Sequence, residues 1–202
     1  GADTARMFIL FKAPPEKDLE WGDTDVEGQF RFLSRIWKLF FDYLKEDELK
    51  IKNNLSIESE KKLLMNMNIA IREISNDIEN NQFNTAISEL MKLYNSITQE
   101  YKFISDNLKK IVFKNLCILL SPFAPHISEE IWSGLGYTGS VHNQSWPDFD
   151  PNALIKENYE LVIQINGKVR DKITIDCETS EENIKEKSLS RPNVRKWIEN
   201  KK

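Results

Sequence analysis

Cysteine is scarce. The 202 residues contain only Cys117 and Cys177, in unlike contexts and with no CxxC pair. That excludes a disulfide scaffold and fits a reducing compartment, the cytoplasm. Histidine is as rare: His126 and His142 have no Cys or His partner at metal-ligand spacing, so no zinc site is expected. No apolar run approaches the ~20 residues that a membrane span requires, and charge interrupts the longest ones, such as the run from Ile111 to Leu120. A basic-then-apolar leader is missing. The first residue is Gly1 rather than Met, which reads as an internal boundary of a longer protein. There is no P-loop, no Gly-rich dinucleotide fingerprint and no GxSxG, so no catalytic constellation is visible.

The chain does have enough apolar residues for a core: it is 40% hydrophobic and 30% charged. Its length suits one helical domain plus a small second unit. The net charge of −4 is no general signature of nucleic-acid binding, and DNA is not expected as a partner. The charge is uneven, however. From Lys185 to Lys202 seven bases stand against Glu186 and Glu199. A basic tail on an acidic body suits a local anionic partner, or else a solvated helix end.

Residues 1–22 read as irregular or mixed, with a short apolar run from Met7 to Phe11 and an extended Pro14-Pro15. A long helix follows. Thr24 and Glu27 fit a capping box, and Val26, Phe30, Leu33, Trp37, Phe40 and Leu44 recur at spacings of three and four. A second helix starts near Ser56 with the stripe Leu64, Met67, Ile71, Ile74 and Ile78, and breaks at Asn80-Asn81-Gln82. A third, capped by Asn84, carries Ile87, Leu90, Met91, Tyr94, Ile97 and Tyr101. A fourth runs from Asp106 to a stop at Ser121-Pro122, and Pro125 opens a short fifth, His126 to Gly134. Five amphipathic helices on short links make a bundle.

The texture then changes. Residues from Gly136 to Pro151 read as a loop or linker. From Tyr159 the apolar period switches to two, and Asn166-Gly167 turns a hairpin. A three-residue loop, Ile165-Asn166-Gly167, pairs Ile163 with Val169 and Tyr159 with Ile173, sets Glu160 against Lys172 and keeps one face apolar apart from Asp171. Thr179 with Glu182 fits a second capping box, and Pro192 can open a last helix with Val194, Trp197 and Ile198. The fold class is mainly α, a helical bundle followed by a small α+β C-terminal unit with a β-hairpin. The division is a connecting segment at 1–22, the bundle at 23–135, a linker at 136–157 and the C-terminal unit at 158–202.

Asp23, Asp25 and Glu27 are explained by a helix N-terminus that favours acids, rather than by catalysis. His126, next to a helix-opening proline, reads as a packed or capping residue. The more informative groups are basic. Arg31, Arg35 and Lys38 share a flank of the long helix beside Trp37. Lys168, Arg170 and Lys172 alternate along a strand, which puts three cations on one face at ~6.5–7 Å spacing. That spacing is close to the phosphate repeat of a nucleic-acid strand. Such groups hold a backbone without reading its sequence, and the alternative is a solvated face.

Four stretches carry a family resemblance. Residues 1–37, and above all Ala-Pro-Pro-Glu-Lys-Asp-Leu-Glu-Trp from Ala13 to Trp21, resemble the segment just after the KMSKS loop of bacterial-type leucyl-tRNA synthetases. Phe83 to Met91 is similar to the middle of their helical domain, and Gln164 to Lys172 to the start of their small C-terminal domain. Leu120 to Trp132 resembles a motif shared more widely by class I synthetases.

The resemblance implies an anticodon-binding helical domain lying along the tRNA stem, followed by part of a domain that reaches the tRNA elbow. It implies leucine tRNAs and an upstream catalytic domain as partners. ATP with Mg would be bound upstream, with no cofactor in this part and no catalysis by it. Arg31, Arg35, Lys38, Lys168, Arg170 and Lys172 are the candidate tRNA contacts. A valine, isoleucine or methionine enzyme would share the layout but lack the Ala13 to Trp21 run. A helical protein-interaction module would explain the bundle but not the basic strand face or tail.

Overall fold

The computed structural model describes residues 1–12, 20, 22–46, 55–154, 158–176 and 179–198. The elements are α1 (Ala2–Lys12), α2 (Asp23–Leu44), α3 (Ile57–Glu79), α4 (Phe83–Glu100), α5 (Asp106–Leu120) and α6 (Pro125–Gly134). A hairpin of β1 (Asn158–Ile165) and β2 (Lys168–Asp176) follows, then α7 (Glu181–Ser190) and α8 (Pro192–Ile198). The chain forms two compact units, Gly1–Leu154 and Ile155–Lys202. The Pro14-Pro15 expectation and Cys177 lie outside the described residues.

Helix-period stripes build the first unit. Leu63, Ile74, Ile87, Leu90 and Ile97 are buried on the facing sides of α3 and α4, the most extensively packed helix pair. Asn81, at φ 57°, turns the chain between them. Cys117 of α5 lies in the same core, where burial pushes its thiol up to about 12. Ser56 and Ser105 cap α3 and α5 by accepting from the Ser59 and Leu108 amides. The two caps are cross-linked: the Ser56 amide donates to the Phe103 carbonyl at 2.8 Å, and Glu60 Oε1 accepts from the Ser105 amide at 2.8 Å. Deep beside them, Lys109 is only 2% exposed. It pairs with Glu46 at 2.7 Å and sits 4.2 Å from the centre of the Tyr101 ring.

Several expectations need correction. Ala2–Lys12 is a helix, not irregular chain, because Asp3, Thr4, Met7 and Phe8 recur at helical spacing and are all buried. The buried arc of α2 is Gln29, Phe32, Leu33, Ile36, Leu39 and Phe40, whereas Phe30 is 56% and Leu44 48% exposed. Apolar side chains cover so much of this helix that periodicity alone permits more than one arc. The Thr24–Glu27 capping box is not made; Gly22 is the N-cap, and its carbonyl accepts from the Asp25 and Val26 amides. Gln82 rather than Asn84 holds the N-cap position of α4, without a side-chain bond, and Ser180 rather than Thr179 caps α7.

The stretch after α6, read as a loop or linker, is fastened to the bundle. Glu129 Oε2 accepts from the Val141 amide and the Ser140 hydroxyl at 3.0 Å each. Trp146 Nε1 donates to Ser75 Oγ at 2.8 Å, and the Asp150 amide donates to the buried Asn68 carboxamide at 2.6 Å.

Asp3 reaches from α1 to the start of α6. Its carboxylate accepts from the Ile127 amide at 2.8 Å and the His126 amide at 3.4 Å, and lies 2.7 Å from His126 Nδ1. The capping is thus done to His126, not by it. Burial raises the Asp3 pKa, but the bonds from the His126 ring and the two amides outweigh it and hold the carboxyl below its ordinary value. At the other end of α6, a Cβ on Gly134 would lie 2.4 Å from Phe40 Cζ, so any larger residue there would have to push the buried Phe40 ring aside.

Two outcomes follow for stability. Asp3→Ala should cost about 1–2 kcal/mol, the scale of a lost helix cap. Because the folded carboxyl is depressed, this difference should be complete above the unfolded value of about 3.9 and shrink as pH falls through the lower folded one. Urea melts of both proteins across acid pH check this; curves that stay parallel to the lowest pH contradict it. Gly134→Ala should cost roughly 1–3 kcal/mol through overpacking against Phe40, read from thermal unfolding.

Candidate nucleic-acid interface

Helix α2 places three of the expected cations together. Arg31, Arg35 and Lys38 are all exposed, on the side of α2 away from its buried arc. They line a groove of about 1000 Å³ whose other residues include Phe8, Phe11, Phe30 and Met91. Arg31 makes a 3.4 Å contact with Glu27, between two well-exposed side chains. Such surface pairs contribute ~0–1 kcal/mol and are easily exchanged for another anion. Arg35 lies 5.8 Å from the centre of the Tyr94 ring, and the Tyr94 hydroxyl donates to the Arg35 carbonyl at 3.5 Å. Lys38 makes no ion pair among the described residues. Lys12 of α1 pairs with Asp25 of α2 at the same groove.

The sequence reading missed Gln29. It lines the groove, is 3% exposed, and its Oε1 has no hydrogen-bond partner among the described residues. A signal was available: a glutamine at the centre of an apolar arc is a polar group without an obvious partner.

The strand cations are arranged differently from the expectation. Asn166 and Gly167 have φ of 52° and 75°, the conformation of a two-residue type I′ turn, so Ile165 pairs with Lys168 and Gln164 with Val169. The register then slips, and Ile163 pairs with Asp171. Arg170 is the extra residue of a β-bulge. The bulge restores the apolar face that the two-residue turn would have mixed, pairing Leu161 with Ile173 and Tyr159 with Ile175.

The three cations consequently share no face. Lys168 lies on the side of Ile165 and Ile163. Lys172 lies on the other side, opposite Val162, and pairs with Glu160 at 2.6 Å. Val169, expected to be buried, is 55% exposed. The Arg170 guanidinium lies 3.5 Å from the centre of the Trp197 ring, with Nε buried and unpartnered among the described residues.

Beside the bulge, Asp171 accepts from Arg191 Nε at 2.9 Å and Nη2 at 3.3 Å. Arg191 joins α7 to α8, so this pair fixes α8 against β2, with Val194 buried between them. The Arg191 guanidinium, followed by the Lys172 amide, holds the Asp171 carboxyl below the usual carboxylate range. Among the described residues no three His, Cys, Asp or Glu side chains converge as a metal site would need, and no helix is long and apolar enough to cross a membrane.

Arg31, Arg35 and Lys38 thus stand together along one wall of the α2 groove. A family model described as the anticodon-binding domain of tRNA ligase matches residues 60–185, from α3 into α7. The chain belongs to that family. The individual proteins it resembles are leucine–tRNA ligases. It is 63% identical over 201 residues to that of Prochlorococcus marinus strain MIT 9515, covering 100% of this chain and 23% of that protein. To that of strain MIT 9211 it is 53% identical over 214 residues, covering 98% and 24%. Among solved structures it matches the crystal structure of a ternary complex of Agrobacterium radiobacter K84 LeuRS, tRNA and LeuAMS. The TM-score is 0.80 at 31% identity, over 98% of this chain and 26% of that one. The chain thus spans about a quarter of the length of the relatives it matches.

Replacing Arg191 by Gln should move the Asp171 carboxyl upward, back toward the ordinary carboxylate range, as followed by its carboxyl-carbon NMR titration. An unmoved titration would mean that Arg191 is not what depresses it.

Proposed function

We propose that this chain is the tRNA-holding part of a leucine–tRNA ligase. It grips the tRNA backbone while the upstream catalytic domain of the same protein, using ATP with Mg, joins leucine to the tRNA. This part supplies no reacting group and holds no cofactor itself. The reading carries with it a cytoplasmic place of action and leucine tRNAs as the specific partners.

The observation that carries it is the row Arg31, Arg35 and Lys38 along one wall of the α2 groove. Successive members lie a helical turn apart, on the scale of the phosphate repeat of an RNA strand. Each bound phosphate releases counterions, so binding is strong in low salt and falls as salt rises. In the second unit, Lys168 and Lys172 act from opposite faces of the hairpin rather than as a single row. Arg170 contributes through the ring it covers. The likeness to the tRNA-bound Agrobacterium protein supports the reading over nearly the whole chain.

The test is titration of the 202-residue chain with a leucine tRNA transcript at several salt concentrations. The triple variant R31E/R35E/K38E should bind roughly tenfold or more weakly in low salt, with the slope of log affinity against log salt flattened by about one per lost contact. Unchanged affinity and slope would remove the α2 row from the interface. A wild-type chain that ignores salt would overturn the backbone-binding reading altogether.

A further inference from the structure

Two neighbouring residues of α2 destabilise the fold without a packing reason among the described residues. Gly28 stands inside the helix, where glycine is less stable than alanine. Its φ is not positive, and a Cβ there would meet no atom within 4 Å, so no described neighbour demands a glycine. Beside it, Gln29 is 3% exposed, and its Oε1 has no hydrogen-bond partner among the described residues. A buried polar group left unsatisfied is rare and destabilising. Both residues line the α2 groove. Local rules broken side by side on the wall of a cavity mark a functional site.

The rest of the groove selects the ligand. Its volume of about 1000 Å³ suits a small molecule rather than a lone ion. Phe11, Phe30 and Met91 give it apolar walls. Arg31, Arg35 and Lys38 run along it, and the one carboxylate among its described lining residues, Asp25, is already paired with Lys12. A carboxamide presents a donor and an acceptor side by side, and its soft terminal torsion can offer either to the groove. The matching ligand is flat, apolar on its faces, has a donor and an acceptor on one edge, and carries an anion. An inorganic anion or an aliphatic carboxylate would meet the cations and leave the carboxamide unpaired. A nucleotide meets all of these groups, and glutamine bonds base edges in this paired way.

We infer that the groove between α1, α2 and α4 is a nucleotide-binding pocket. The Gln29 carboxamide bonds the base edge, the apolar walls flank the base, and the cations of α2 hold the phosphate. Gly28 keeps the wall low enough for the base to enter. A free nucleotide and an unpaired nucleotide of a bound RNA share this chemistry. The pocket uses the same cations as the tRNA-holding reading but does not depend on it, because free nucleotides test it with no RNA present.

The probes are the four nucleoside monophosphates, a leucine tRNA transcript and, as a control, inorganic phosphate, each added to the 202-residue chain. The reporter is the side-chain amide NMR signal of Gln29, assigned by its absence from Gln29→Leu. A monophosphate should move this signal saturably, and inorganic phosphate should not. A signal moved by the transcript alone also supports the pocket and assigns the nucleotide to RNA. Gly28→Leu should fill the groove and abolish the shift. Gln29→Leu exchanges an unpaired amide for an apolar group of similar size. It should weaken nucleotide binding about five- to a hundredfold, with no loss of thermal stability. A Gln29 signal that neither the monophosphates nor the transcript moves, or that inorganic phosphate moves equally, overturns the pocket. Wild-type binding by Gln29→Leu also overturns it, as does earlier unfolding of that variant, which would make Gln29 a structural residue. The tRNA-holding reading is judged by salt dependence instead, so the two can fail separately.

Discussion

The first unit depends on how a helix start is satisfied. The first amides of α6 have no partner within their own helix. Pro125 takes up one such position without needing an acceptor, and Asp3, more than a hundred residues earlier in the chain, takes up the next two. That carboxylate fixes α1 against α6. Once α1 is seated, Met7 and Phe8 enter the core and Phe8 and Phe11 stand opposite α2 as part of the groove. The groove and its row of cations are thus a consequence of a helix-capping requirement met at the far end of α1.

The second unit turns on a conflict between turn chemistry and face. Asn-Gly strongly favours a two-residue turn. Continued in register, that turn would have opposed Ile163 to Arg170 and put a charge among the residues that pack on α8. One inserted residue resolves the conflict. The strand gives up a row of three outward cations. In exchange, Arg170 becomes a support for Trp197, and Asp171 an anchor for Arg191.

Much of the fold was legible in the sequence. The bounds of α3, α4, α5 and α6 fell close to where they were read, because their signals are local, an apolar period and a proline at the first position, although Leu64 and Ile111 of the expected stripes are exposed. What was missed is non-local. Helix α1 was overshadowed by Pro14-Pro15, although Thr4, Met7, Phe8 and Phe11 already had helical spacing. The buried arc of α2 was misplaced because Phe30, Trp37, Phe41 and Leu44 offered a second apolar face. The bulge at Arg170 is supported by distant partners: Trp197 beneath the Arg170 guanidinium, and Arg191, which pairs with the neighbouring Asp171 from 20 residues away. Of the candidate contacts, the α2 row was recognisable from spacing alone. The strand row could not be, since a single inserted residue reverses the face of every side chain beyond it.

The Lys109–Glu46 pair limits how this chain can vary over time. Both partners are held by each other, one of them in a setting with almost no water. Losing Glu46 strands the Lys109 charge in that setting, at a cost of roughly 3–5 kcal/mol, whereas a Glu46 left without Lys109 still reaches water. The two positions, 63 residues apart, are therefore bound in one direction: the acid can drift only after the buried lysine has been replaced.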